Sequence, residues 1–170
     1  MAAPKNSFKE ALKNHQLQIG FWQSLSSVTT AEISAQVGFD WLLIDGEHAP
    51  NSVENIANLL RVIDASDSNA VVRVVAGITH DIKQILDVGA QTILVPMVET
   101  AHQAQEMVRA VHYPPSGVRG AASITRAAKY GNISNYAASA NDEICLLVQA
   151  ESQTALDNLE SICAVEGVDG

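Results

Sequence analysis

Short apolar runs alternate with segments of helical periodicity along this chain, and the alternation limits its fold more than any other feature. We predict strands over 18–22, 40–45, 70–75, 92–98 and 143–150. We predict helices over 6–17, 30–37, 51–65, 80–88, 101–111 and 154–163, an irregular stretch over 112–141, and the approach to a sixth strand at 167–169. Apolar runs of this length between helices are typical of buried parallel strands. The pattern therefore predicts an α/β fold with a parallel sheet and right-handed crossovers.

Two architectures contain such a sheet: an open doubly wound sheet and a (β/α)8 TIM barrel. No glycine-rich phosphate-binding motif follows the first predicted strand, which disfavours the dinucleotide-binding and P-loop versions of the open sheet. A complete barrel takes about 250 residues, whereas this chain has 170. We therefore expect one domain over residues 1–170, the N-terminal portion of a barrel with about five β/α units, truncated at its C-terminal side.

Composition excludes several classes of protein. The formal net charge is −9, from 10 Lys and Arg against 19 Asp and Glu, so a nucleic-acid-binding or anionic-membrane surface is disfavoured. No apolar stretch reaches the roughly 20 residues of a membrane span. Residues 1–10 have no apolar core of a secretory signal. We expect a cytoplasmic protein whose cysteines, Cys145 and Cys163, are reduced core residues.

Titratable and polar residues follow the predicted strands where each strand ends. Asp45, Glu47 and His48 lie at the end of the second strand and directly after it. Arg73 lies in the third strand, and Gln149 and Glu151 lie where the fifth strand ends. The carboxyl ends of the strands of a parallel barrel meet on one face, where such folds place their chemistry. The sequence therefore predicts a site there for a divalent metal and an anionic small molecule.

Each of these side chains also has a purely structural interpretation. Glu151 is either a metal ligand or a solvated residue before a helix, and Arg73 either binds a substrate oxygen or pairs with a strand-end acid. His48 is either a proton carrier whose tautomer Asp45 fixes, or a loop histidine bonded to backbone. Gln149 either hydrogen-bonds substrate or fills the barrel interior.

Two further features, Glu47 and the loop over 113–120, each allow more than one interpretation. Glu47 pairs with Arg73, orients a metal-bound water or is a solvated loop acid. The loop over 113–120 contains two prolines, two glycines and Arg119. Prolines stiffen such a loop, and glycines let its backbone approach another group closely. We interpret it as a lid, a subunit contact or an irregular surface loop.

Several segments together resemble the HpcH/HpaI aldolase family, the metal-dependent class II pyruvate aldolases. The most specific are Asp-Gly-Glu-His at 45–48 and, within 113–120, the sequences Tyr-Pro-Pro and Arg-Gly. The resemblance implies a carbon–carbon lyase that reversibly cleaves 4-hydroxy-2-oxoheptanedioate, or a similar 4-hydroxy-2-oxo acid, in aromatic-compound catabolism. Its products would be pyruvate and an aldehyde such as succinic semialdehyde. The alternatives are an aldolase for 2-keto-3-deoxy sugar acids and a non-catalytic truncated barrel.

The resemblance also implies a role for each site residue. Glu151 matches a ligand of the divalent metal (Mg²⁺, Mn²⁺ or Co²⁺), whose second carboxylate is absent from this chain. Arg73 matches the arginine that holds pyruvate and stabilises its enolate. His48 matches the catalytic acid/base, Asp45 its partner and Gln149 a substrate contact. The family further implies a homo-oligomer, specifically a hexamer.

Overall fold

The computed structural model describes residues 1–170 and contains one parallel sheet of five strands in the order β1-β2-β3-β4-β5. Neighbours in the sheet are also neighbours in sequence, as in a barrel wall. The strands are β1 (Gly20–Gln23), β2 (Trp41–Asp45), β3 (Asn69–Arg73), β4 (Thr92–Val95) and β5 (Cys145–Val148). This arrangement confirms the prediction of a parallel α/β fold.

Eight α-helices accompany the sheet, and none of them is long and apolar enough to cross a membrane. They are α1 (Ser7–Lys13), α2 (Val28–Ala35), α3 (Val53–Ile63), α4 (Thr79–Asp87), α5 (Ala101–Val111), α6 (Tyr136–Ala140), α7 (Gln153–Asp157) and α8 (Leu159–Cys163). Two single 3-10 turns lie at Lys129–Gly131 and Asn141–Glu143. The last helical segment, predicted as one helix, is two short ones, and Cys163 at its end is exposed rather than in the core.

The helix α3 shows why these segments are helical. Ser52 caps it, since its side chain accepts a hydrogen bond from the backbone N–H of Asn55. Its apolar side chains recur at helical spacing, and Ile56, Leu60 and Ile63 are buried against the sheet. The amphipathic pattern in the sequence therefore fixed both the type of the element and the face it buries.

The strands carry two different apolar faces because side chains alternate along a strand. One face packs against the helices in a core of 26 buried residues that includes Leu42, Ile44 and Val72. The opposite face forms a smaller cluster of Leu43, Val71 and Cys145, which the ring of Phe8 on α1 covers. Positions 45 and 73 continue this second face at the carboxyl ends of β2 and β3, so the inner face of the sheet leads directly into the candidate site.

Three strands end earlier than the sequence predicted. β3 ends at residue 73, β4 at 95 and β5 at 148. Pro96 follows β4 directly, and a proline has no N–H to offer the ladder. Beyond β5, the N–H of Asp169 donates to the carbonyl of Leu146 and that of Val148 to the carbonyl of Gly170, at 2.8 and 2.9 Å. The segment predicted to approach a sixth strand therefore runs along the edge of β5.

The irregular stretch over 112–141 lies at the amino ends of the strands, opposite the strand ends that carry the titratable groups. Within this stretch, the N–H of Ala127 donates to the carbonyl of Asp87, where α4 ends. The N–H of Arg119 donates to the carbonyl of His112, directly after α5. Arg119 is itself fully buried. The interpretation of the 113–120 loop as a lid is therefore wrong. The helices of a β/α unit run antiparallel to the strands, so the ends of α4 and α5 lie at the amino ends of the strands, away from the candidate site.

Candidate active site

A buried ion pair joins the last residues of β2 and β3. Asp45 and Arg73 are direct partners in the parallel register of the two strands. The Nε and Nη2 groups of Arg73 donate to the two carboxylate oxygens of Asp45 at 2.9 and 2.8 Å. This two-point contact fixes the plane of the guanidinium as well as its position.

The Asp45 carboxylate accepts three more hydrogen bonds. The backbone N–H groups of Glu47 and His48 donate to Oδ1 at 3.0 and 3.2 Å, and the indole of Trp22 donates to Oδ2 at 3.3 Å. Burial by itself raises the pKa of Asp45, but the hydrogen bonds, that of Arg73 foremost, outweigh it and lower the pKa to about 2. The same pair raises the pKa of Arg73. Both groups are therefore charged throughout the neutral range.

The outer end of the Arg73 guanidinium faces a second acid and an amide. Its Nη1 lies 3.0 Å from Oε2 of Glu47, which confirms the ion-pair interpretation of that residue. The same nitrogen donates to Oε1 of Gln149 at 3.4 Å. The guanidinium carbon lies 4.8 Å from the centre of the Trp22 ring, a cation–π contact. Arg73 is thus held by β1, by β2 and by the residue that follows β5.

Glu151 lies beside this pair, after the end of β5. One of its oxygens accepts the backbone N–H of Met97 at 3.0 Å, and the other accepts the side-chain amide of Gln149 at 3.2 Å. Gln149 therefore joins Arg73 to Glu151. The Glu151 side chain is exposed and has only neutral donors, so its negative charge faces the solvent at the mouth of the sheet.

His48 does not form the contact with Asp45 that the sequence analysis expected. Its backbone N–H reaches Asp45, but its ring is largely exposed, and the nearest carboxylate to Nε2 is Glu47 at 3.6 Å. The expectation that Asp45 orients the imidazole is wrong, because both carboxylate oxygens already accept hydrogen bonds from Arg73, the Trp22 indole and two backbone N–H groups. The role of His48 as a proton carrier stays a prediction.

The residues present can supply part of a metal site. No group of three or more His, Cys, Asp or Glu side chains is arranged to hold an ion. The exposed carboxylate of Glu151 nevertheless keeps free lone pairs, because each oxygen accepts one hydrogen bond. Mg²⁺ and related cations are often held by one or two carboxylates, with water and substrate completing the shell. The donor set thus fits one protein ligand of such a cation.

Three contributors to the site were not predicted as such. The indole of Trp22 reaches Asp45, and its sequence signal is an aromatic residue one position before the end of β1. Asn51, which directly precedes the cap of α3, donates from its side chain to the backbone carbonyl of Asp45 at 2.7 Å. Met97 contributes a backbone N–H, for which a sequence carries no signal.

The five parallel strands in sequential order match part of a TIM barrel, and the charged groups lie at the carboxyl ends of its strands, where such folds place their chemistry. The family model for HpcH/HpaI aldolase/citrate lyase matches residues 18–170. The chain belongs to this family.

Solved structures and curated relatives agree with this assignment. A HpcH/HpaI aldolase/citrate lyase family protein from Burkholderia cenocepacia J2315 superimposes with a TM-score of 0.94 at 40% identity, covering 96% of this chain and 66% of that one. The citrate synthase SbnG gives 0.81 at 29% identity, covering 94% and 62%. A 2-keto-3-deoxy-L-rhamnonate aldolase from Escherichia coli K12 is 54% identical over 166 residues, which are 97% of this chain and 62% of the relative. The chain thus spans less than two thirds of the length of that relative.

Proposed function

We propose that the protein is a metal-dependent aldolase that cleaves 2-keto-3-deoxy sugar acids to pyruvate and a hydroxyaldehyde. The observation that carries the proposal is the fixed guanidinium of Arg73 beside the exposed carboxylate of Glu151, linked through Gln149. A 2-oxo acid presents a carboxylate and a ketone oxygen side by side. A cationic fork next to a metal-binding carboxylate is suited to that pair of oxygens.

In the proposed reaction the C3–C4 bond of the substrate breaks. The C4 hydroxyl loses its proton and C4 becomes the aldehyde, while C3 keeps the electron pair as the enolate of pyruvate. That enolate then takes up one proton to form the methyl group. A bound divalent cation would supply Lewis-acid polarisation of the ketone.

The residues of this chain provide the remaining functions. Arg73 places positive charge where the enolate oxygen develops, and Asp45 keeps the guanidinium in a fixed plane, so the site is organised before substrate arrives. His48, exposed at the same mouth, is the proposed acid/base for the C4 hydroxyl. Gln149 is the proposed donor to the bound oxo acid, since its amide already lies between the two charged groups.

The choice of sugar acids follows from the relatives. A relative at 54% identity is named as a 2-keto-3-deoxy-L-rhamnonate aldolase, which supports the sugar-acid alternative better than 4-hydroxy-2-oxoheptanedioate and its link to aromatic catabolism. Both substrates share the 4-hydroxy-2-oxo acid unit that the site would act on, and they differ only beyond C4. A homo-oligomeric state and a cytoplasmic location stay predictions.

The first test measures deuterium exchange of the pyruvate methyl group in D₂O by NMR. We expect exchange with Mn²⁺ or Mg²⁺ present and none after excess chelator, because enolate formation needs the cation but no aldehyde. Cleavage of a 2-keto-3-deoxy sugar acid and of 4-hydroxy-2-oxoheptanedioate is then compared by pyruvate release. Absence of exchange from folded protein would favour the non-catalytic alternative, and preference for the heptanedioate would overturn the sugar-acid assignment.

The Arg73→Ala variant tests the proposed electrostatic role in the same assay. We expect exchange to fall about 10²–10³-fold, the range typical for loss of one oxyanion donor. Near-normal exchange would make Arg73 a structural ion-pair residue only. Arg61→Ala is the matched control, because Arg61 is an exposed arginine on α3 outside the site.

A further inference from the structure

Met97 has a backbone conformation that is unusual for its residue type. Its φ angle is +56°, in the left-handed region that favours glycine. The side chain gives no reason for this, since it is 53% exposed. A non-glycine residue held in this region at a candidate site points to a function of its backbone.

Hydrogen bonds to Gln149, the residue directly after β5, hold the chain on both sides of Met97. The backbone N–H of Gln149 donates to the carbonyl of Val95 at 2.8 Å, and the N–H of Val98 donates to the carbonyl of Gln149 at 3.2 Å. The chain is therefore fixed to a single residue, the one directly after β5, on both sides of the Pro96–Met97 pair. Pro96 has no N–H, so Met97 carries the one backbone donor of this pair.

That donor is used at the site. The N–H of Met97 donates to Oε1 of Glu151 at 3.0 Å, and the side chain of Gln149 donates to Oε2 at 3.2 Å. The two donors come from opposite sides of the β4–β5 junction and together fix the plane of the carboxylate. Both are neutral, so they orient Glu151 without pairing its charge.

We propose that Met97 is a positioning residue whose left-handed backbone orients Glu151 for a divalent cation. The proposal rests on the proposed function, in which Glu151 is a metal ligand. It places the essential property in the backbone conformation at position 97, so the identity of the side chain matters only through the conformations it allows.

Substitutions at position 97 separate backbone conformation from side-chain size. Glycine adopts the left-handed region readily, leucine resembles methionine, and valine is disfavoured there because it is branched at Cβ. We expect Met97→Gly and Met97→Leu to bind Mn²⁺ like the unmodified protein and Met97→Val to bind it roughly tenfold more weakly, because a Cβ-branched residue is an outlier at positive φ. Mn²⁺ affinity is measured by electron paramagnetic resonance, with thermal unfolding as a check on folding.

A second measurement needs no metal. Hydrogen exchange of the Met97 amide, followed by NMR in metal-free protein, reports its bond to Glu151 directly. We expect this amide to be protected and to lose protection in Glu151→Ala. Equal exchange in both proteins, or equal Mn²⁺ affinity of Met97→Val and Met97→Leu, would overturn the inference.

The Glu151→Gln variant separates this inference from the proposed function. Weak Mn²⁺ binding by Glu151→Gln together with normal binding by Met97→Val would overturn the positioning role and leave the metal site standing. Normal Mn²⁺ binding by Glu151→Gln would overturn the metal-ligand role of Glu151 and, with it, the assignment of Met97 to that role.

Discussion

Asp45 shows how much of the candidate site depends on a single side chain. Its carboxylate is buried, and it accepts hydrogen bonds from the Arg73 guanidinium, the Trp22 indole and two backbone N–H groups of the following turn. These donors come from β1, β3 and the loop after β2. Asp45 therefore joins three parts of the chain and holds the Arg73 guanidinium in place.

The lowered pKa of Asp45 predicts a pH dependence of stability. Its pKa falls from the ordinary 3.8 to about 2 on folding, which corresponds to about 2 kcal/mol. Because the folded pKa is the lower one, this stabilisation is complete above the unfolded pKa and is lost as pH falls toward about 2. We expect Asp45→Asn to lose this dependence, so that its deficit in unfolding free energy shrinks between about pH 5 and pH 2.

Urea unfolding followed by circular dichroism over that pH range measures the effect. The matched control is Asp67→Asn, because Asp67 is an exposed aspartate. Parallel pH curves for Asp45→Asn and the unmodified protein would contradict the prediction.

At the scale of elements, the junction of β2 and β3 determines the site geometry. The N–H of Gly46 donates to the carbonyl of Arg73 at 2.8 Å, directly beyond the Asp45–Arg73 register pair. A Cβ at position 46 would lie 2.6 Å from that same carbonyl oxygen. Only glycine lets the chain leave β2 this close to the end of β3.

We therefore expect Gly46→Ala to move the two strand ends apart. Overpacking of this kind costs about 1–3 kcal/mol of unfolding free energy, and the pyruvate exchange rate should fall because the Arg73 backbone is displaced. Gly120→Ala is the control, since its new Cβ would meet only the flexible Lys83 side chain at 3.4 Å. Chemical denaturation and the exchange assay on both variants test this, and equal behaviour of the two would refute it.

At the scale of the whole molecule, the candidate site and the buried Arg119 lie at opposite ends of the sheet. The site occupies the carboxyl ends of the strands, whereas the residues over 112–141 pack under the amino ends. There Arg119 donates to Asp87 at 3.0 Å, and its guanidinium lies 4.3 Å from the centre of the Tyr113 ring. Its side chain is completely buried, so it stabilises the fold and is remote from the chemistry.

Arg119→Ala tests this division. Loss of a large, fully buried side chain costs about 2–5 kcal/mol, and we expect the free energy of unfolding to fall by that amount. The exchange rate of the pyruvate methyl, corrected for the folded fraction, should not change. Denaturation and NMR exchange of the same sample measure both quantities, and a specific loss of exchange would connect this end to the site.

The periodicity of the sequence was sufficient to predict the five strands, most of the helices and the end of the sheet where the charged groups lie. It did not predict the short helix α6 within 112–141 or the division of the last helical segment into α7 and α8. Helix α3 and strands β2 and β3 follow directly from local spacing, and Asp45, Arg73, Gln149 and Glu151 do come together. The strand ends were less accurate, because hydrogen bonding to the neighbouring strand determines where a strand stops. Pro96 is the example, since its missing N–H ends β4 earlier than its apolar neighbours suggest.

The sequence by itself determined the parallel α/β class, the inner and outer faces of the strands, and the presence of charged groups at their carboxyl ends. Only the tertiary structure decided that Asp45 holds Arg73 rather than the His48 ring, that the 112–141 stretch lies at the far end, and that a backbone N–H of Met97 holds Glu151. The physical reason is the distance along the sequence over which each property is determined. Alternation of side chains is a property of adjacent residues, whereas the partner of a charged group depends on strand register and on which chain segments the fold brings within hydrogen-bonding distance.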